Sequence, residues 1–80
     1  MEDEKFYEPS EVDKKKLENN FKYHAPQGNQ AARYEEIRLQ AKNLAKALMK
    51  FCPPSRELSV ALTELETAVM WANASIARNE

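Results

Sequence analysis

The segment from Leu58 to Arg78, LSVALTELETAVMWANASIAR, constrains the fold of this chain more than any other. Apolar side chains recur at Leu58, Leu62, Leu65, Val69, Ala72 and Ile76 in steps of four and three, the stripe of a helix with one covered face. A second apolar set, Val60, Ala61, Ala68, Met70, Trp71, Ala74 and Ala77, lies off that stripe. One neighbouring helix covers only the first set. The second needs another surface, and 80 residues leave little chain to supply one. The helix therefore reads as the wall of an oligomer.

So small a fold buries proportionally little surface and often depends on disulfides, a metal or self-association. Cys52 is the only cysteine, which excludes an internal disulfide, and one Cys with one His argues against a structural zinc site. Self-association is the remaining source of burial. The net charge of −1 gives no bulk attraction to nucleic-acid polymers or an anionic membrane. No apolar run approaches the ~20 residues that span a bilayer. The acidic start MEDEKFYEP is unlike a signal peptide, and a free cysteine without an export signal points to the cytoplasm.

Residues 1–9 read as a flexible lead-in and residues 10–80 as a single domain. Ser10 is placed to cap a short helix over about 10–20, with Glu11 and Asp13 in its first turn and Val12, Leu17 and Phe21 as a weak apolar edge that must pack on something. FKYHAPQGNQ follows as a loop, since Pro26 disfavours helix at Ala25 and Gly28-Asn29 is turn chemistry. A second helix over about 30–51 carries Tyr34, Ile37, Ala41, Leu44, Leu48 and Phe51 in the same rhythm. Pro53 and Pro54 stop it, and Ser55 caps a third helix to about residue 78. The short connection makes the two long helices antiparallel neighbours. The fold class expected is all-α: a short N-terminal helix plus a long αα-hairpin, assembled into a compact helical homo-oligomer.

Catalytic motifs are absent: no glycine-rich phosphate loop, HExxH, CxxC or GxSxG occurs. Cys52 and His24 are formally a nucleophile pair, but Cys52 ends a helix, where the dipole disfavours a thiolate, and it reads as inert. Neither a cofactor nor a bound metal is expected.

Arg38, Lys42, Lys46 and Lys50 form a row of like charges four apart, mutually repulsive by a few tenths of a kcal/mol, roughly, per pair. Pairing across the hairpin, Lys50 with Glu57 and Lys46 with Glu64, would relieve the half near the prolines. Arg38 and Lys42 lie at the other end, where helix three brings no acid before Glu80, and for them an anion-binding role stands level with pairing. Phe21 reads as filling for the open end of the hairpin. Tyr23 and His24, beside a proline-fixed turn, offer flat faces to a nucleobase, a contact that contributes roughly 1–3 kcal/mol per base. Together these groups suggest a small anionic ligand bearing nucleobases. Trp71, among Ala68, Ala72, Ala74 and Ser75, reads as part of an inter-subunit seam. For Asn73, Arg78 and Asn79, a polar contact at that seam and a ligand contact both stand.

The succession NFKYHAP, RYEEIR with AKNLAKAL, CPPSRE and ALTELETAVMWANASIARNE resembles phage anti-CBASS sponge proteins, through a helical-hairpin domain related to that of anti-Thoeris sponges. The resemblance covers roughly residues 20–80. It implies a non-enzymatic protein that binds cyclic oligonucleotide second messengers in the infected bacterial host cell and starves a defence effector. It also implies a homohexamer, a trimer of interlocked dimers, with cyclic dinucleotides such as cGAMP between protomers and cyclic trinucleotides at separate sites in some members. On this chain Tyr23 would stack on a base and Arg38 would be a basic ligand contact with Lys42 one turn on. His24 and Tyr34 come next, and Arg78 would serve a trinucleotide site. A small helical adaptor that binds a protein partner through the helix-three surface is the alternative, and a nucleotide hydrolase is the enzymatic one.

Overall fold

The computed structural model describes residues 5–80. The described part of the 1–9 lead-in carries no helix or strand, and its first four residues lie outside the described range. Three helices follow: α1 Glu11–Asn20, α2 Gln30–Phe51 and α3 Arg56–Asn79. The described residues contain no strand, so the protein is all-α.

Local chemistry accounts for the ends of these helices. Ser10 and Asp13 form a reciprocal capping box at α1: the Ser10 hydroxyl accepts from the Asp13 N–H at 3.1 Å, and the Ser10 N–H donates to the Asp13 carboxylate at 3.4 Å. Gly28, at φ 55°, takes the left-handed turn that leads into α2. Cys52, just before Pro53, is already extended at ψ 139°, and the Ser55 hydroxyl then accepts from the Leu58 N–H at 3.1 Å to open α3.

The two stripes divide as the spacing on α3 requires. Leu58, Leu62, Leu65, Val69, Ala72 and Ile76 are all half-buried against α2, whereas Val60, Ala61, Ala68, Met70 and Trp71 are exposed. Ala74 and Ala77, grouped with the second set, are half-buried. On α2 the seam runs through Tyr34, Ile37, Ala41, Ala45, Leu48 and on to Cys52. Leu44 and Phe51, expected on it, are exposed instead, because a straight helix drifts off a strict heptad and the contact line shifts by one residue.

The short first helix is a larger departure. Val12, Leu17 and Phe21 are 61, 58 and 84% exposed, so α1 has no buried apolar edge and Phe21 does not fill the hairpin's end. Among the described residues α2 and α3 are the only helices in extensive contact. The radius of gyration is 18.6 Å, where a compact domain of this length would show about 12 Å. The molecule measures 56 × 45 × 14 Å, a plate one helix layer thick. A plate has no interior: no apolar side chain among the described residues is fully buried, and the only buried residue is Gln30.

Candidate functional site

Four of the residues singled out by the sequence line two recesses on this plate, Arg38 and Lys42 one, Tyr23 and His24 the other. Arg38 and Lys42 lie about 12 Å or more of helical rise beyond Gln30 along α2. They overhang a groove between the long helices, floored by Ala41, Ala45, Leu62, Leu65 and Val69, with a volume of about 360 Å³. Both are exposed, and neither forms an ion pair among the described residues. Glu66 lines the same groove, so α3 does bring an acid toward this end, contrary to expectation, although not within ion-pair distance. On the other side of the same two cations, Glu35 and Glu36 line an adjoining recess with them, so Arg38 and Lys42 stand among acids without being ion-paired to any described one.

The other half of the basic row behaves differently from the expected pairing. Lys46–Glu64 and Lys50–Glu57 are not ion-paired, and Lys50 instead lies 5.4 Å from the Phe51 ring centroid. None of the four side chains of the row is ion-paired among the described residues.

Tyr23 and His24 line a smaller recess of about 140 Å³ at the open end of the hairpin, with Gln27, Gln30, Ala77 and Glu80. Tyr23 is 82% exposed. His24 is half-buried, its Nε2 2.9 Å from the Asn19 carbonyl oxygen, a contact that needs the proton on Nε2. Tyr34 sits half-buried on the hairpin and lines neither recess. Arg78 lies with its guanidinium 5.8 Å from the Trp71 ring centroid, aligned with the exposed apolar face of α3. One chain therefore brings Arg38 to Lys42, and Tyr23 to His24, but does not bring the two pairs together.

The strongest polar contacts of the open end come from residues the sequence reading passed over. Glu80 accepts two hydrogen bonds from the Arg33 guanidinium, one at 2.8 Å, and a third from Gln30 Nε2 at 3.1 Å. Arg33 is steadied in turn by Asn29 Oδ1 at 3.1 Å. The Arg33 hydrogen bonds, then that of Gln30, hold the Glu80 carboxyl down at about 2 against an ordinary 4.5, and the same pairing raises Arg33. Only the local spacings, Asn29 to Arg33 and Gln27 to Gln30, were visible as helical neighbours. Glu80 arrives from 47 residues away, through the register of the hairpin.

The sign of the pH effect follows from the lowered carboxyl. A group depressed in the folded state contributes stability above its unfolded value, and this is lost as pH falls through the folded value. The Glu80 contribution is thus complete above pH 4.5 and disappears toward pH 2. A carbon-13 NMR titration of the Glu80 side chain should give a midpoint near 2; a midpoint near 4.5 would mean that the pair does not form in solution.

Both recesses fall within one known domain. The model of the Acb2/Tad1 hairpin domain matches residues 13–77. The chain belongs to that family. The match takes in most of α1, the aromatic loop, all of α2 and nearly all of α3, so the Acb2/Tad1 hairpin of this protein includes Tyr23, His24, Tyr34, Arg38 and Lys42. Arg78 and Glu80 lie just past the matched span. No curated protein and no solved structure matches the chain significantly. No helix among the described residues is long and apolar enough to cross a membrane.

Proposed function

We propose that this protein is a sponge: it captures cyclic oligonucleotide second messengers of bacterial anti-phage defence and withholds them from their effector without cleaving them. Cyclic dinucleotides such as cGAMP are the first ligand class, and cyclic trinucleotides the second. The family match over residues 13–77 carries this reading. The ion-pair-free cations Arg38 and Lys42 beside an apolar groove, and the exposed ring of Tyr23, support it. Cations of this kind suit phosphates, and a flat ring suits a base.

Capture by stoichiometry demands tight binding, and neither recess of the single chain encloses a ligand. The groove of about 360 Å³ is open to solvent along its length, and the recess of about 140 Å³ lies below the roughly 300–1,000 Å³ common for ligand pockets. A second copy laid over the plate would close the groove and bring its own Tyr23 toward Arg38 and Lys42. The exposed Met70 and Trp71 suit such a contact. The homohexamer that the resemblance implies meets this need.

Isothermal calorimetry of the purified protein against a panel of cyclic di- and trinucleotides tests the proposal. Saturable binding is expected, with intact cyclic ligand recovered after denaturation. Silence across the panel would remove the sponge reading, and linear product would replace it with a hydrolase. A protein partner that competes with self-association for the Trp71 face would favour an adaptor.

A further inference from the structure

Nothing apolar holds the aromatic loop in place. Phe21 and Tyr23 are 84 and 82% exposed, and α1, which leads into the loop, makes no extensive contact with the hairpin. Among the described residues backbone bonds fix the loop's ends: Phe21 N–H to the Leu17 carbonyl at 3.1 Å, Lys22 N–H to the Asn19 carbonyl at 3.4 Å, and Gln30 N–H to the Gln27 carbonyl at 3.0 Å. Yet a ring that stacks on a ligand must be held in place before binding, or its ordering cost is subtracted from affinity.

Two polar relays supply what burial does not, and both start from the end of α3. In the first, the Arg78 carbonyl accepts from Asn19 Nδ2 at 3.0 Å, and the Asn19 carbonyl lies 2.9 Å from His24 Nε2, next to Tyr23. In the second, Glu80 accepts from Gln30 Nε2, and Gln30 Oε1 accepts from the Gln27 N–H at 3.0 Å, just after Pro26. Gln30, the middle of this second relay, is the one buried residue among those described. Arg33 braces Glu80 from the side. The same helix end therefore holds Asn19 at the close of α1 ahead of Tyr23, and His24 and Gln27 after it.

We propose that Glu80 and Asn19 are positioning residues, which clasp the 21–29 loop to the end of α3 and so orient Tyr23 for the ligand. The clause about ligand rests on the sponge reading; the clasp itself does not.

The test pairs Glu80→Ala and Asn19→Ala with Glu80→Gln, which keeps an oxygen acceptor for Gln30 but loses the ion pair. Three readouts are taken on the full chain: the dissociation rate of cGAMP, the exchange rate of the Gln27 N–H, and the assembly mass with its melting midpoint. Glu80→Ala should speed Gln27 exchange and cGAMP release each about tenfold, with the mass unchanged and the midpoint close to that of Glu80→Gln, which loses the same ion pair. Glu80→Gln should recover most of both. Asn19→Ala should speed release while altering the nitrogen-15 signature of the His24 ring. Wild-type exchange and release in both alanine variants would overturn the clasp. So would losses that appear only together with a fallen mass, or equally in Glu80→Gln, since those mark a merely structural contact. If one alanine variant fails to assemble, the other decides by the same readouts; failure of both counts against positioning. A wild-type protein that ignores the cyclic nucleotides would defeat the sponge reading, while Gln27 exchange would still judge the clasp.

Discussion

Trp71→Ala should break the protein into smaller species and weaken self-association by at least ~30-fold, an effect of ~2 kcal/mol or more, as expected of a central aromatic anchor. The reasoning is that of a plate without an interior. Trp71 is 64% and Met70 63% exposed on the single chain, on the face of α3 turned away from α2. An exposed aromatic beside another large apolar side chain is the pattern of a surface that a partner covers. Because no described apolar side chain is fully buried within one chain, dissociation should also lower helicity, so that melting depends on protein concentration. Light scattering and circular dichroism over a dilution series read both effects. Lys15→Ala, on the exposed face of α1, should change neither. An alanine variant at position 71 with unchanged mass at every dilution would show that the face is not a seam.

Removing the two groove cations should have the largest effect on the ligand. A hydrogen bond to a charged partner contributes about 1.5–3 kcal/mol, so Arg38→Ala should weaken cyclic dinucleotide binding by roughly 10- to 150-fold. The Arg38→Ala/Lys42→Ala pair should lose more than either single change, though less than their product if both side chains hold one phosphate. Arg38→Lys should recover part of the loss, because a lysine keeps the charge but not the planar fork. Raising the salt should weaken the wild type more than the double variant, since the screened charges are those removed. Binding by calorimetry that is indifferent to both substitutions would move the ligand away from this groove.

How far these features could be read from the chain depends on whether they are local. The hairpin was legible because its cause is periodic: Leu58, Leu62, Leu65, Val69, Ala72 and Ile76 do lie half-buried on one face. Ser10 and Ser55 were legible as caps because capping spans three residues. Leu44 and Phe51 misled, since a drift of one residue in the contact line moves a whole face and is invisible in spacing alone. Phe21 and Leu17 misled for another reason: hydrophobicity says that a side chain should be covered, not which chain covers it.

The same limit applies to the site. The cation row was readable, but its absence of partners was not, because Lys46 and Glu64 are near enough in a drawn hairpin and still fail to meet. Tyr23 and Arg38 were placed in one ligand site by resemblance. In a single chain they line separate recesses, and the proposed assembly is what would join them. The clasp of Glu80, Gln30 and Arg33 was out of reach, since it joins the two ends of the hairpin across 50 and 47 residues of chain.

The account stands on a plate that folds fully only with copies of itself and holds its guest between them. Native mass spectrometry of the protein mixed with cGAMP tests this most directly. The predicted spectrum shows an assembly of several 9.2 kDa chains that carries intact cyclic dinucleotide in a fixed ratio. A folded single chain of 9.2 kDa, with no nucleotide retained at any concentration, would contradict it.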